Sequence, residues 1–536
     1  MSTKKALFRV LCAVCLSFTC VFCRAAVVCA QHATSEQNSD EHAEKAHEGG
    51  SINIACTDAV RTLDPQKASL VSERWVLEQI YDGLYEYDTN DRIVPVLATD
   101  FPERSEDGSL SIPLRSGIVF HDGTEFDAND VVFTLQRLLN PATQCPTREL
   151  FQGFGAVEAA SKLMVRIHMG SDCPDAEELL TRIEARPLPK ETVIQSGDRY
   201  GQVTTIGTGP FRLSEWDRDK DLILIRNYSY ALGSPLIHKA IFTFPQPGVD
   251  PVRELKRGRI ELISPISPKG ASILSSWLSL RVEGKAGQRL CQIYLNCEQY
   301  PFDRPGIRRA VSLGINRAEI IHQVFQGFAE IADSCIPPWH RYHDPHKDPA
   351  NTYDPNTARE ILGSEGFTEE FPVSFSLMYT DAFPFSSIAV IMREQLSRIH
   401  VQVHLVPLAK DALFDYVYGR KGRDRSLFQA ALEDWEDWRG GGGAEQFTWR
   451  LYHSSSPENK VGNIPHSWEQ DLARAVKACD PAVRDALFTQ AITQIDQAMV
   501  AIYLCYPHRT WVARNWVNGQ FCNSLGNVFV DRVWVR

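Results

Sequence analysis

The chain has 536 residues, 43% of them hydrophobic and 23% charged, with a net charge of −11. That length exceeds one ordinary core and predicts two or three compact units, so a cleft between lobes can form. The acidic balance, with no block of like charge, argues against nucleic acid or an anionic membrane as partner.

Lys4, Lys5 and Arg9 precede or enter the apolar run ALFRVLCAVCLSFTCVFC, and the small residues of RAAVVCA follow. This is the layout of a secretory signal peptide over residues 1–30, with cleavage near Ala30 and export to the periplasm. A lipid anchor on a leader cysteine is the alternative, although none sits in a good Leu-x-x-Cys lipobox. Cleavage removes four basic residues and moves the net charge to −15. No later stretch reaches the roughly 18 unbroken apolar residues of a spanning helix, so a soluble mature chain is expected. Residues 31–50 are polar and aperiodic, which predicts a flexible tether and a fold that begins near Ser51. Five of the fourteen cysteines leave with the leader, and the remaining nine, an odd number, contain no CxxC pair. Cys291 and Cys297 on one strand would lie nearly 20 Å apart at about 3.3 Å per residue, too far to bridge. Cys145 and Cys173 are a conceivable disulfide in an oxidising compartment.

Ser51 to Thr57 alternates as a strand, and Trp75, Leu77, Ile80 and Leu84 carry helical spacing after it. Residues 93–120 predict short strands and turns, with a hairpin at Asp107-Gly108. In FHDGTEFDAND, Phe120 to Asp130, one histidine and three aspartates suggest metal or acid–base chemistry. The local pattern supports scaffold instead: Asp122-Gly123 is a turn, Asp127 an N-cap, and Asp130 favours the helix dipole. Val131, Leu135, Leu138 and Leu139 recur at i, i+4, i+7 and i+8 up to Asn140-Pro141, one helix with both ends marked.

GTGPFRLSEW and DLILIRNYSY predict a turn and a strand pair, and Pro210 and Arg212 rule out a dinucleotide loop at Gly207-Thr208-Gly209. CQIYLNC is strand-like, and RPGIRRAVSLGINRAEIIHQVF is helical. YDPNTAREILGSEGF supplies Asp354 as cap, Pro355 at the first helical position and Gly363 as the end. Strands at Ser374–Tyr379 and Val401–Pro407 flank a helix over Ile388–Ile399. DPAVRDALFTQAITQIDQAMV is an amphipathic helix, followed by the strand AIYLCY. Alternating strands and helices without repeats predict α/β layers.

The segment LRSGIVFHDGTEFDANDVVFTLQRLLNP resembles the signature of the family 5 extracellular solute-binding proteins, the oligopeptide, dipeptide and nickel receptors of ABC importers. TLDPQKA, GTGPFRL, YLNCEQYPFDRPGIRRAVSLGINRAEII, Pro337-Pro338 and YDPNTAREIL follow in the family's order. The resemblance implies an α/β fold, a two-lobed periplasmic binding protein (type II, cluster C-like), with an extra subdomain next to lobe I. By analogy, lobe I comprises residues 51–81, 186–287 and 505–536, the subdomain 82–185, and lobe II 288–504. It implies a monomeric receptor without cofactor that closes on a short peptide and meets membrane permease and ATPase subunits.

In the oligopeptide branch an acid in a lobe II segment, Trp-Cys-Ala-Asp-Tyr, takes the peptide's ammonium, and a loop after Leu-Asp-Pro pairs its backbone. The corresponding residues here are EDWEDW, with Asp437 as anchor, Glu433, Asp434 and Glu436 as neighbouring acids and Trp435 and Trp438 as faces for a cation, and Ser69, Leu70 and Val71. Gly440 to Gly443 depart from the family's pattern. The competing reading is a solvated acidic loop whose tryptophans pack inward. CIPPWHRYHDPHKDP offers His340, His343 and His346, with Cys335 and Asp344 nearby, as weak metal candidates. Three prolines there oppose a single helix face, so unliganded histidines on a loop are the plainer reading. A carrier of a metal chelate such as nickel, or of haem, is the alternative on this fold. A secreted hydrolase is a remote one, because no HExxH or GxSxG occurs.

Overall fold

The computed structural model describes residues 48–535 apart from 171–174, 345–351, 418–427, 437–442, 457, 460, 463–466 and 479. The expected leader, most of the tether, Cys173, His346, Asp437, Trp438 and Gly440 to Gly442 lie outside the described residues. Twelve strands form the main sheet. Numbered in chain order they are β1 (Ser51–Ala55), β2 (Phe211–Asp217), β3 (Asp221–Arg226), β4 (Lys239–Thr243), β5 (Leu262–Ile263) and β6 (Leu280–Ala286), then β7 (Leu290–Leu295), β8 (Ala329–Ile331), β9 (Val373–Thr380), β10 (Val401–Leu408), β11 (Ala430–Trp435) and β12 (Ala501–Arg514). Their order is β10-β9-β11-β7-β12-β5-β1-β4-β3-β2, with β6 and β8 also paired to β12.

The long strand β12 joins the two halves of this sheet. Its first residues pair antiparallel with β7, and its last with β5 and β6. Ile502 and Leu504 enter a core built on β7, β9, β10 and β11, whereas Trp511 and Ala513 enter another built on β1 to β5. One continuous strand therefore belongs to two lobes. The chain crosses a second time between β6 and β7, where Gly287 N–H donates to Pro507 O at 3.2 Å. Every residue of β7 is buried, which its apolar sequence anticipates for a strand covered on both faces. Its one polar member, Gln292, donates to Tyr294 Oη at 2.7 Å and accepts from Tyr452 Oη at 3.1 Å. Cys291 faces Cys505 across the β7–β12 pair, and Cys145 is a free thiol.

Helix α1 (Val71–Ile80) follows an extended Leu70 that has no side-chain cap to offer. Glu73 supplies the capping instead: Oε2 accepts from Ser69 and Leu70 N–H at 2.8 and 2.9 Å, Oε1 from Arg61 and Thr62 N–H at 3.0 and 3.3 Å. The helix stops at Ile80 rather than continuing to Leu84, because the GTG turn presses on its end. Gly209 N–H donates to Ile80 O at 2.9 Å, and a Cβ on Gly207 would lie 2.1 Å from that oxygen.

A four-stranded antiparallel sheet and helix α2 (Ala128–Leu139) share a separate core, with Leu110, Phe120, Val131, Leu135 and Val165 buried in it. Asp127 caps α2 through Oδ1, which accepts from Asn129 N–H at 2.7 Å, and Asp130 Oδ2 accepts from Asp127 N–H at 3.0 Å. His121 is buried, accepts from Gly207 N–H on Nδ1 at 3.3 Å and so donates from Nε2 to Gly209 O at 2.9 Å. Asp64 of the LDP segment is fully buried and meets Arg137 of α2 in a two-pronged ion pair, at 2.6 and 3.1 Å. His121 of the FHDG turn and the GTG turn thus bolt the subdomain to the end of α1.

The other differences from expectation are local. RPGIRRAVSLGINRAEIIHQVF is two helices, Pro305–Leu313 and Arg317–Phe325, because Asn316 caps the second by accepting from Glu319 N–H at 3.1 Å. The helix starting at Pro355 runs past Gly363 to Ser364, and Gly366, at φ +90°, makes the turn.

Candidate functional site

The two crossings bring lobe II's acidic strand end and lobe I's α1 toward one another around half-buried Arg509 of β12. The Arg509 guanidinium is burdened by burial, stabilised by Glu436 on the lobe II side, and flanked by Arg74 and Glu78 of α1. Its Nη1 donates to Leu525 O at 2.9 Å, and it packs so close to Gly526 that a Cβ there would overlap it. Trp75 Nε1 holds the same turn by donating to Gly526 O at 3.0 Å.

The predicted acidic segment is the end of β11. Leu432 is buried, Trp435 is buried in the apolar core of lobe II, and Glu433, Asp434 and Glu436 are half-buried. Arg289, from the β6–β7 crossing, meets Asp434 Oδ2 at 3.0 Å and Glu436 Oε2 at 3.4 Å. Burial opposes its charge, but the two carboxylates outweigh that and hold it above the ordinary arginine range. Asp434 and Glu436 thus meet Arg289 from one side, and Glu436 also acts on Arg509 from the other.

Ser69 and Val71 are exposed at the start of α1. The N–H groups of Ser69 and Leu70 already serve the Glu73 carboxylate, and Leu70 O accepts from Arg74 N–H at 3.2 Å, so a ligand pairs with this loop only through other atoms.

His340 and His343 do not come together. His340 packs among Trp339, Tyr342 and Phe447, and its Nδ1 accepts from Tyr342 N–H at 3.2 Å. His343 Nε2 lies 3.0 Å from Asp333 Oδ1, and Cys335 is buried. Among the described residues no three His, Cys, Asp or Glu side chains are arranged to hold a metal ion.

Two cavities meet at Tyr87. One, of about 560 Å³, is lined by Phe101, Glu177, Trp339, His340 and Arg341 among others. Across its wall Arg341 and Arg484 pair with Asp175 at 2.5 and 3.5 Å. The other is small, about 30 Å³, and lies among Arg74, Glu78, Arg182, Arg186 and Gln288. Burial pushes Glu78 up to about 7, against the pull of Arg186 and Arg74.

Residues 92–459 match the family model "Bacterial extracellular solute-binding proteins, family 5 Middle". The chain is a member of this family. It is 25% identical over 449 residues to "Glutathione-binding protein GsiB" of Salmonella paratyphi A, and 24% identical over 452 residues to that of Escherichia coli K12, each spanning 82% of this chain and 86% of the relative. Among solved structures, the unliganded open form of the periplasmic murein tripeptide binding protein MppA superposes with a TM-score of 0.81 at 18% identity, covering 91% of this chain and 98% of that one. HbpA2 from Haemophilus parasuis superposes at 0.79 with 20% identity over 91% and 100% of the two chains. The oligopeptide-binding protein AppA from Bacillus subtilis, in complex with a nonapeptide, does so at 0.63 with 19% identity over 92% and 100%. These likenesses establish the two-lobed α/β receptor fold for this solute-binding protein.

Arg74, Arg182, Arg289 and Arg509 escaped the sequence reading. Arg289 stands one residue before an apolar strand and Arg74 inside an amphipathic helix, positions where an arginine ordinarily faces solvent. Only the two crossings make them neighbours.

Proposed function

We propose that this solute-binding protein is the receptor of an ABC importer and captures short peptides between two closing lobes. Its lobes correspond to residues 51–81, 186–287 and 505–536 on one side and 288–504 on the other, with 82–185 as an added subdomain. The observation that carries the reading is the set of charged groups gathered around Arg509: the carboxylates of Asp434 and Glu436 with Arg289 at the end of β11, and guanidinium groups along α1 and residues 182–186. A zwitterionic peptide matches that polarity at both ends. Asp437 and Glu436 take the ammonium, Asp434 supports them through Arg289, Trp438 flanks the site while Trp435 anchors the strand end in the core, and Ser69 to Val71 border the peptide backbone. Relatives and structural neighbours named for glutathione and murein tripeptide binding, and one in complex with a nonapeptide, support short peptides as ligands, with glutathione as a candidate to test. The receptor acts as a monomer in the periplasm after loss of residues 1–30, with a lipid anchor as a variant of that location.

Native mass spectrometry of the mature chain, purified without denaturation, should reveal a ladder of short peptides; a bound metal complex in their place overturns the peptide reading. In calorimetry with glutathione and tripeptides, Asp437→Ala and Glu436→Ala should each weaken binding at least tenfold, the scale of one charge-assisted hydrogen bond. Unchanged affinity in both removes the acidic segment as anchor.

A further inference from the structure

The chain passes into residues 288–504 along β7 and leaves them along β12, and these two strands lie side by side. At their root Cys291 stands opposite Cys505 in the antiparallel register. Both are buried free thiols, 1% and 0% exposed, and both belong to the core built on β7, β9, β10 and β11. Simple alternation along β12 does not put Cys505 there, because Ile502 and Leu504 already point into that core. The register shifts between Cys291 and Gln292, which leaves one extra residue on β12, and this bulge turns Leu504 and Cys505 to the same side. Tyr503 and Tyr506 face the other core of lobe II. Directly opposed residues of an antiparallel pair have Cα atoms about 4.5–5.5 Å apart, inside the roughly 4.4–6.8 Å span of a disulfide. The two side chains are hydrogen-bonded to one another, and that contact, with burial, holds the Cys291 thiol well above the ordinary range.

We propose that Cys291 and Cys505 are a disulfide-forming pair that clasps lobe II at its root when the chain folds in an oxidising compartment. One thiolate attacks a sulfur of an external disulfide, either a small molecule or a protein thiol oxidant, and displaces a thiol. The second thiolate attacks the mixed disulfide and displaces the other. The two protein thiols lose two protons and two electrons, and the external disulfide is reduced to two thiols. Thiols this deeply buried exchange slowly, so the bond forms before β12 settles against β7. It closes a covalent ring around nearly all of lobe II, and a cross-link over so long a stretch removes much freedom from the unfolded chain. It also fixes where the lobes bend. Cys291 and Cys505 lock one side, the Ala286–His508 pair of β6 and β12 marks the other, and flexing is confined to residues 287–290 and 506–507 between them. Asp434, paired with Cys291 through β11, then rests on a covalently fixed strand.

The test is a thiol map of the mature chain produced in an oxidising compartment, with free thiols alkylated by iodoacetamide under denaturing conditions before proteolysis and mass spectrometry. The fragments that carry Cys291 and Cys505 should be joined, and treatment with dithiothreitol before alkylation should release both as alkylated thiols. Urea unfolding supplies a second readout. Dithiothreitol should lower the wild-type midpoint by roughly 0.5 M or more, and should lower that of Cys505→Ala by less than half as much. Where the alanine variant fails to fold, the wild-type map decides by itself. Both thiols alkylated without reductant, or either one joined to a different cysteine, overturns the clasp. A midpoint that responds equally to reductant in the two chains assigns the stability to another bond and also overturns it.

Discussion

His121 illustrates how a chemically suggestive side chain serves as scaffold. Its ring joins the two glycines of the GTG turn, and burial lowers its basicity to about 4, so it folds as the neutral imidazole. Replacing it with alanine strands the buried Gly207 N–H, whereas Gly209 O keeps Asn227 Nδ2 as a donor at 3.1 Å, and should cost about 1–3 kcal/mol in denaturant unfolding with ligand affinity unchanged. The pH dependence has a definite sign. A histidine whose folded value is depressed contributes its full stability above about 6.5 and loses it as pH falls toward about 4. Wild-type protein should therefore gain acid sensitivity in that window relative to His121→Gln; superimposable profiles would show that the ring is not the titrating group. Glu73 is the corresponding case at α1, one carboxylate holding four backbone N–H groups. Glu73→Ala should destabilise by about 3 kcal/mol or more, and Glu73→Gln, which keeps one acceptor oxygen, by less.

At the level of elements, local sequence chemistry predicted the capped helices well. Asp127 and Asp354 each sit before a helix and accept the N–H groups expected of a cap. Asp127→Ala should cost about 1 kcal/mol, measured by thermal melting, and leave peptide binding intact. Where the sequence reading erred, a neighbour intervened. The spacing from Trp75 to Leu84 continues a helical pattern, yet α1 ends at Ile80 because Gly207 and Gly209, some 130 residues away, occupy the space the next turn requires. AIYLCY was legible as a strand, but its extension to Arg514 was not, since His508 and Arg509 interrupt the apolar run. Those polar residues stand where β12 passes between lobes, the place where a strand lacks a continuous apolar environment.

At the scale of the molecule, several acids are withdrawn from solvent. Burial raises Glu78, Asp82 and Glu177 to about 7, and Asp130 and Asp531 to about 6. Each binds its proton more tightly when folded, so its contribution is complete below the unfolded value near 4 and is lost as pH rises through 6 to 7. These acids outnumber His121, whose effect has the opposite sign. Stability to denaturant should fall between pH 5 and 8, by an amount on the order of a few kcal/mol, and Glu78→Gln should flatten the profile. A rise over that range contradicts the assignment. Lobe closure is accessible to X-ray scattering: the radius of gyration should fall when peptide is added to ligand-free protein, and an unchanged value would exclude closure around the ligand.

By itself the sequence determined the class of fold and the family, because those depend on patterns contiguous along the chain: periodicity, caps, turn dipeptides and a run of motifs in order. It also pointed to the acidic end of β11, since Glu433, Asp434 and Glu436 are adjacent in sequence. Tertiary structure alone decided which arginines face those acids. Arg289 and Arg509 come from two separate segments, each unremarkable locally, and reach Asp434 and Glu436 only because the β6–β7 connection and β12 cross from one lobe to the other. Charge complementarity of this kind depends on distances through space, which local sequence spacing does not encode.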